Sequence, residues 1–139
     1  MSEARIIGDR QTDAMLKNDL ESAIEVYSDD AVVVTPDGLF KGKEQIREFM
    51  RGWFEPFSNI RANIQSKFEA GAKAMDEWIF KMKNTADIKM SDGTLIPATG
   101  KEVEVHGADV YEVHDGHITE HHIYYDPKEL PKQLGGMPA

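Results

Sequence analysis

Two side chains with complementary proton chemistry, Asp109 and His121, fall within VEVHGADVYEVHDGHITEHHIYYD, residues 103–126. The rest of that stretch mixes β-branched and aromatic residues with charged ones, and it reads as two β-strands joined at Asp115-Gly116. A three-residue loop, His114-Asp115-Gly116, with Gly116 left-handed, sets the register. Val113 then faces His117, Tyr111 faces Thr119, Asp109 faces His121 and Gly107 faces Ile123. Acid and imidazole stand opposite each other on a face that also carries Val103, Val105, Tyr111, Val113, Ile123 and Tyr125. Glu102, Glu104, His106, Glu112, Glu120, His122 and Asp126 mark the wetter face.

In that arrangement the carboxylate raises the basicity of the imidazole and fixes its tautomer. His121 could then take a proton from a carbon next to a carbonyl, with Asp109 as its orienter. Alternatively, desolvation keeps Asp109 protonated, so that it donates to a ligand oxygen. A third reading makes the two a structural pair in a non-catalytic cavity. Trp53, Trp78, Tyr111, Ile123 and Tyr125 are candidates for contact with a flat apolar ligand. Asn84, a lone amide on an apolar strand face, could orient a ligand carbonyl or sit near an open rim. His117 and His121 share the face but are four strand residues apart, roughly 13 Å and too far for one ion. His121 and His122 point to opposite faces. No metal and no cofactor are expected.

The elements that would position these residues follow from hydrophobic spacing. Residues 3–17 suit a first amphipathic helix, and Asn18 or Asp19 can cap a second, LESAIEVY. AVVVT is a strand, Pro36-Asp37-Gly38 a turn and Leu39-Phe40 a short return. In Lys43 to Phe54, Ile46, Phe49, Met50, Trp53 and Phe54 form one broad helical stripe that Pro56 ends. Then the period becomes two. Ile60, Ala62, Ile64, Ser66 and Phe68 share an inner face, as do Trp78, Phe80, Met82, Asn84, Ala86 and Ile88. Ser91 to Lys101 is a long loop, KELPKQL a short tail helix, and residues 135–139 are expected to fray.

Helices first, then long strands, predict a single α+β domain over residues 1–139. A curved antiparallel sheet wraps around the N-terminal helices to form a cone with an internal pocket. The chain has 139 residues, with 16 basic against 25 acidic and a formal charge of -9. A phosphate backbone or an anionic membrane would be repelled by it, so neither nucleic acid nor membrane is an expected partner. There is no cysteine, hence no disulfide, thiolate nucleophile or thiolate metal site. MSEARIIGDR lacks the basic end and apolar run of a signal peptide, so a cytoplasmic location is expected.

Several segments together carry a resemblance: Tyr27-Ser28-Asp29-Asp30-Ala31-Val32-Val33, residues 40–49 (FKGKEQIREF), Asp115-Gly116-His117-Ile118, Tyr125-Asp126 and Gln133-Leu134-Gly135. They look like the nuclear transport factor 2-like superfamily, and the ending resembles its SnoaL-type polyketide cyclases. The resemblance implies the cone fold and a pocket for a small apolar molecule. In those cyclases the general acid/base is an aspartate two residues beyond a histidine on the last strand. That histidine matches His121, but the aspartate position holds Ile123. The cyclases' other pocket histidine matches Asp109. In the related ketosteroid isomerases a base aspartate precedes a proline of the first strand, where this chain has Thr35, and the oxyanion-hole tyrosine matches Gln11. Only the isomerases' oxyanion-hole aspartate has a counterpart, Asp109.

The reading that results is a cofactor-independent acid/base enzyme of isomerase, cyclase or dehydratase type, with Asp109 and His121 as its catalytic pair. Its substrate would be a small, mostly apolar carbonyl compound such as a polyketide or a steroid-like molecule. The rivals are a binding protein with the same pocket and no turnover, and an interaction domain whose interior is filled by side chains. Ala108, Val110, Ile118, His122 and Tyr124 make an apolar patch on the convex face, which a homodimer would bury.

Overall fold

The computed structural model describes residues 2–90 and 92–135. Helices α1 (Glu3–Leu16) and α2 (Leu20–Glu25) precede the strands β1 (Tyr27–Thr35) and β2 (Gly38–Lys41), and α3 (Gly42–Phe54) follows. The long strands β3 (Phe57–Ala70) and β4 (Lys73–Asn84) come next, then the short pair β5 (Ile88–Lys89) and β6 (Leu95–Ile96). The chain continues through β7 (Glu102–His114), β8 (His117–Tyr125) and α4 (Glu129–Gln133). Of the end expected to fray, residues 136–139 lie outside the described residues.

Local chemistry explains the helix starts. The Ser2 side chain accepts from the amide of Arg5, and Asp19 accepts from the amide of Ser22, each satisfying a donor that the first helical turn leaves free. Asn18 is not the cap; it adopts φ 53° in the connection before it. On α3 the apolar stripe is the buried side: Ile46, Met50 and Phe54 are fully enclosed, and Phe49 and Trp53 pack beside them. Burying such a side chain is worth roughly 1.5–3 kcal/mol, so the stripe rather than intrinsic propensity holds the helix in place.

Six strands form one unclosed sheet in the order β2-β1-β8-β7-β4-β3, with α1 and α3 packed into its hollow side. This is the α+β cone that the element order predicts. One pairing departs from the all-antiparallel expectation, since β1 runs parallel to β8. The two strands are separated by most of the chain, so no hairpin dictates their direction. Tyr27, placed by its spacing at the end of a helix, instead opens β1 and is fully buried.

The predicted β7–β8 register is corrected by its turn. Asp115 (φ 52°) and Gly116 (φ 78°) form a two-residue connection with both φ values positive, so His114 pairs with His117 and Val113 with Ile118. A bulge follows before the Glu112–Glu120 pair. Beyond it Tyr111 faces His121, Asp109 faces Ile123 and Gly107 faces Tyr125. Ile118, expected on the convex patch, therefore turns inward and is completely buried, whereas His117 is exposed. A bulge in β3 between Ile64 and Ser66 acts in the same way. It swings Phe68 from the expected inner face to the outside, where it is 62% exposed opposite Met75. The β4 strand ends at Asn84, so Ala86 and Ile88 do not continue its inner face.

The core comprises two clusters. One joins α1, α2 and α3 to β1 and the turn ends of β7 and β8 through Ile24, Tyr27, Ile46, Tyr111 and Ile118. The other gathers Phe57, Ile60, Trp78, Met82, Val103 and Val105 towards the opposite end of the sheet. Ile123 touches both clusters. Among the described residues no helix is long and apolar enough to cross a membrane.

Candidate functional site

Between the two clusters the hollow side of the sheet lines a partly open, mostly apolar cavity. Helix α1 contributes Gln11, Thr12 and Met15, and α3 contributes Phe49, Met50 and Trp53. The strands supply Trp78, Phe80, Tyr111 and Ile123, with Asp109 and His121 among them. Of the residues expected to contact a ligand, Trp53, Trp78, Tyr111 and Ile123 are part of this wall. Asn84 and Tyr125 are not. The Asn84 side chain is completely buried and donates to the carbonyls of Pro56 and Ala86 while accepting from the amide and hydroxyl of Thr99. Its amide ties the β4–β7 connection to the end of α3 and has no group left for a ligand. Tyr125 packs edge-on against Trp53 at 5.7 Å and its hydroxyl bonds to Asp37.

Asp109 and His121 meet, but as diagonal neighbours across the β7–β8 ladder. His121 Nε2 lies 3.2 Å from Asp109 Oδ2, and Nδ1 lies 2.7 Å from the Tyr27 hydroxyl. The Tyr111 hydroxyl donates to the same Oδ2 at 3.0 Å and lies 3.1 Å from Gln11 Oε1. The imidazole stacks on the ring of Tyr111, with centroids 4.3 Å apart, and meets Tyr27 end-on through its hydroxyl, the two ring centroids 6.0 Å apart. Burial, and then the charge of Asp109, push both phenols well above their ordinary pKa, so each keeps its proton. Tyr27 therefore donates to Nδ1, which leaves the imidazole proton on Nε2 facing Asp109.

This geometry assigns the two candidates different positions. Both nitrogens of His121 are engaged by protein groups, and its side chain is 1% exposed, against 10% for Asp109. Asp109 has one oxygen held by two donors while Oδ1 has no hydrogen-bond partner. A buried polar atom left unpaired costs about 1–3 kcal/mol, and Oδ1 is the unsatisfied atom of this network.

A second buried charge system adjoins the first. Asp76, 1% exposed, is the direct cross-strand partner of Asp109 on β4. Arg5 of α1, also buried, brings Nη2 within 2.9 Å of Asp76 Oδ2 and 2.8 Å of Asp9 Oδ1. Burial raises the Asp76 pKa first, Arg5 opposes that, and the Asp109 charge adds to it. None of Arg5, Asp76 or Tyr27 was singled out from sequence. Asp76 carried a usable signal, because it keeps the period of two with Trp78, Phe80 and Met82. Tyr27 carried none. Among the described residues no group of three His, Cys, Asp or Glu side chains could hold a metal ion.

The profile of the SnoaL-like domain matches residues 9–121, most of the chain. The chain belongs to the SnoaL-like family. No curated protein sequence matches it. Among solved SnoaL-like and related structures, AclR of Streptomyces galilaeus, a proposed hydroxylase, superposes with TM-score 0.82 at 20% identity, covering 99% of both chains. A proposed SnoaL-like polyketide cyclase from Jannaschia sp. CCS1 gives TM-score 0.81 at 14% identity, over 98% of this chain and 94% of that one. TsrD of Streptomyces laurentii gives 0.77 at 21%, over 97% and 96%. At these identities the likeness establishes the nuclear transport factor 2-like cone and leaves chemistry to the site.

Proposed function

We propose that this SnoaL-like protein is a cofactor-independent acid/base enzyme acting on a small, mostly apolar, enolisable carbonyl compound of polyketide or steroid-like type. The observation that carries this reading is the Asp109 carboxyl: one oxygen is fixed by His121 and Tyr111, and the other is unpaired in the wall of an apolar cavity. In this reading Asp109 is the proton-transferring group and His121 its positioning residue, the reverse of the roles the sequence suggests. Asp109 removes a proton from the carbon next to the carbonyl. The C–H electron pair moves into the carbon–carbon bond, and the carbonyl π electrons move to oxygen. Return of the proton to another carbon completes an isomerisation; attack of the enolate on a second carbonyl of the same molecule, with that proton delivered to the new alkoxide, completes a cyclisation.

The test is exchange of α-protons of a panel of aryl and alicyclic ketones in D₂O, followed by proton NMR, together with binding by calorimetry. Asp109→Asn is expected to lower exchange by about 100-fold or more while affinity stays within a few-fold. His121→Ala is expected to give a smaller loss. Ketones that bind the wild-type protein yet exchange no faster than in buffer would establish the rival, a binding protein without turnover. Ile123 in place of the cyclases' acid is what favours that rival.

Assembly and location belong to the same proposal. On the convex face Phe68, Met75, Val110 and His122 form one row across four strands, and Tyr124 lies 55% exposed beside it. A symmetric homodimer in the cytoplasm would bury that row. Met75→Lys is expected to yield a monomer in sedimentation analysis, and a wild-type protein that is already monomeric would overturn the assignment.

A further inference from the structure

We infer that Trp78 is the carbonyl-reading residue of the cavity: its indole N–H donates to the ligand oxygen, while Asp109 receives the proton of the adjacent carbon. The inference rests on the acid/base reading above and names the group by which a ketone would be distinguished from a hydrocarbon of the same shape.

Trp78 is 7% exposed, lines the same cavity as Asp109, and its Nε1 is the one buried side-chain donor without a partner among the described residues. The other hydroxyls around the site are occupied. Tyr27 donates to His121, Tyr111 to Asp109, and Thr12 donates to the carbonyl of Gly8.

The ladder places this donor near the acid. Trp78 pairs with Gly107 and Asp76 with Asp109, so Trp78 and Asp109 are diagonal neighbours on the hollow face. Such neighbours are separated by roughly 7–8 Å, within the reach of an indole. A Cβ on Gly107 would lie 2.5 Å from Trp78 Cη2 and 2.8 Å from Cζ2, so the benzo ring rests on the bare backbone of that glycine. Nε1 joins the ring through Cε2, next to Cζ2, and therefore the edge that bears the N–H is the one turned towards β7, the strand of Asp109. Phe80 meets the indole edge-on at 4.7 Å and helps to fix its plane.

Trp78 and Asp109 both line this apolar space, one with an unpaired donor and the other with an unpaired acceptor, and together they match a ligand with an oxygen acceptor beside an acidic C–H. A ketone on an aromatic or alicyclic frame has both. As charge builds on the oxygen during proton removal, the indole N–H would bind it more tightly than it binds the neutral carbonyl.

The test uses ¹⁵N-indole-labelled wild-type protein, in which Trp53, in the same cavity wall, reports occupancy by either kind of ligand. Two isosteric pairs are titrated: acetophenone against α-methylstyrene, and 2-acetylnaphthalene against 2-isopropenylnaphthalene, where C=CH₂ replaces C=O. The ketones are expected to move the Trp78 indole N–H resonance downfield and the alkenes to leave it nearly in place. Trp78→Phe, which removes the N–H and keeps a ring over Gly107, is expected to weaken ketone binding by roughly tenfold and alkene binding hardly at all. Equal shifts from ketone and alkene, no binding of either pair at about 1 mM, or a Trp78→Phe protein that still prefers the ketones would each overturn the assignment. The two proposals fail separately. Ketones that shift Trp78 without exchanging their α-protons leave the hydrogen bond and remove the acid/base reading; exchange without a Trp78 shift does the opposite.

Discussion

Asp109 stands directly across the β7–β8 ladder from Ile123. Ile123 occupies the position that the cyclase resemblance assigns to the general acid, and cross-strand partners have Cβ atoms only about 4.5–5.5 Å apart. A carboxyl on either strand therefore reaches the same part of the hollow. In the proposed mechanism the acid has changed strands while His121 has kept its place. Asp109→Asn combined with Ile123→Asp is then expected to recover part of the exchange activity lost in Asp109→Asn alone, about a tenth of wild type by the usual contribution of a displaced acid/base group. No recovery in a folded double variant, measured by α-proton exchange, would mean that the acid acts only from β7.

Tyr27 is predicted to matter through His121 alone. Its hydroxyl is 2.7 Å from Nδ1, and Tyr27 does not itself line the cavity. Tyr27→Phe is expected to cost about 1–3 kcal/mol in urea unfolding, because Nδ1 is left unpaired in a buried place. It should lower the exchange rate at saturating ketone without altering affinity. A change confined to affinity would place Tyr27 in ligand binding instead.

Gly107 is expected to tolerate no side chain. A Cβ there would meet Tyr124 O at 2.5 Å as well as the Trp78 ring, and the first of these is backbone that cannot swing aside. Gly107→Ala should destabilise the fold by about 1–3 kcal/mol, the usual range for overpacking, and weaken ligand binding by displacing the indole. Urea unfolding and ketone titration check both; an Ala variant as stable as wild type would show that the two strands can separate at no cost.

The Arg5–Asp76 pair predicts an acid-side dependence of stability. For a carboxyl whose folded pKa is raised, the folded state binds the proton more tightly than the unfolded chain does. Its contribution is therefore largest below the ordinary value of 3.8 and declines as pH rises through the folded pKa. Asp76→Asn should flatten that decline. Arg5→Met removes the compensating cation and leaves a buried unpaired carboxylate, a loss of about 3–5 kcal/mol at neutral pH that should shrink on acidification. Urea unfolding across pH 3–7 with a pH-independent difference between Arg5→Met and wild type would refute this.

At the far end of the sheet, His106 Nδ1 lies 3.0 Å from Glu129 of α4, and that hydrogen bond, partly opposed by desolvation, raises its pKa. The group's support for α4 is complete below the ordinary histidine value of 6.5 and fades as pH passes the raised one. Amide exchange in residues 129–133 should therefore accelerate above that range, and His106→Gln should remove the dependence. Gln133 also binds the amide and carbonyl of Glu104, so the helix is expected to loosen rather than detach.

Sequence periodicity by itself determined the cone, since a 3.6-residue stripe on α3 and period-two strands after Pro56 can bury their apolar faces only against each other. It also placed Asp109 and His121 on one inner face, because residues beyond the β7–β8 bulge keep their alternation. The tertiary structure decided which atoms of that pair are engaged. A side chain's partners on a neighbouring strand depend on register, and a single unpaired residue reverses it, which is why Ile118 and Phe68 exchanged sides. Long-range packing then brought Tyr27 onto His121 from a strand far away in the chain and Arg5 onto Asp76 from the first helix, leaving the carboxyl rather than the imidazole with a free atom. Spacing along a chain carries no record of which distant hydroxyl will reach a ring nitrogen, and on that contact the proposed assignment of the acid/base group rests.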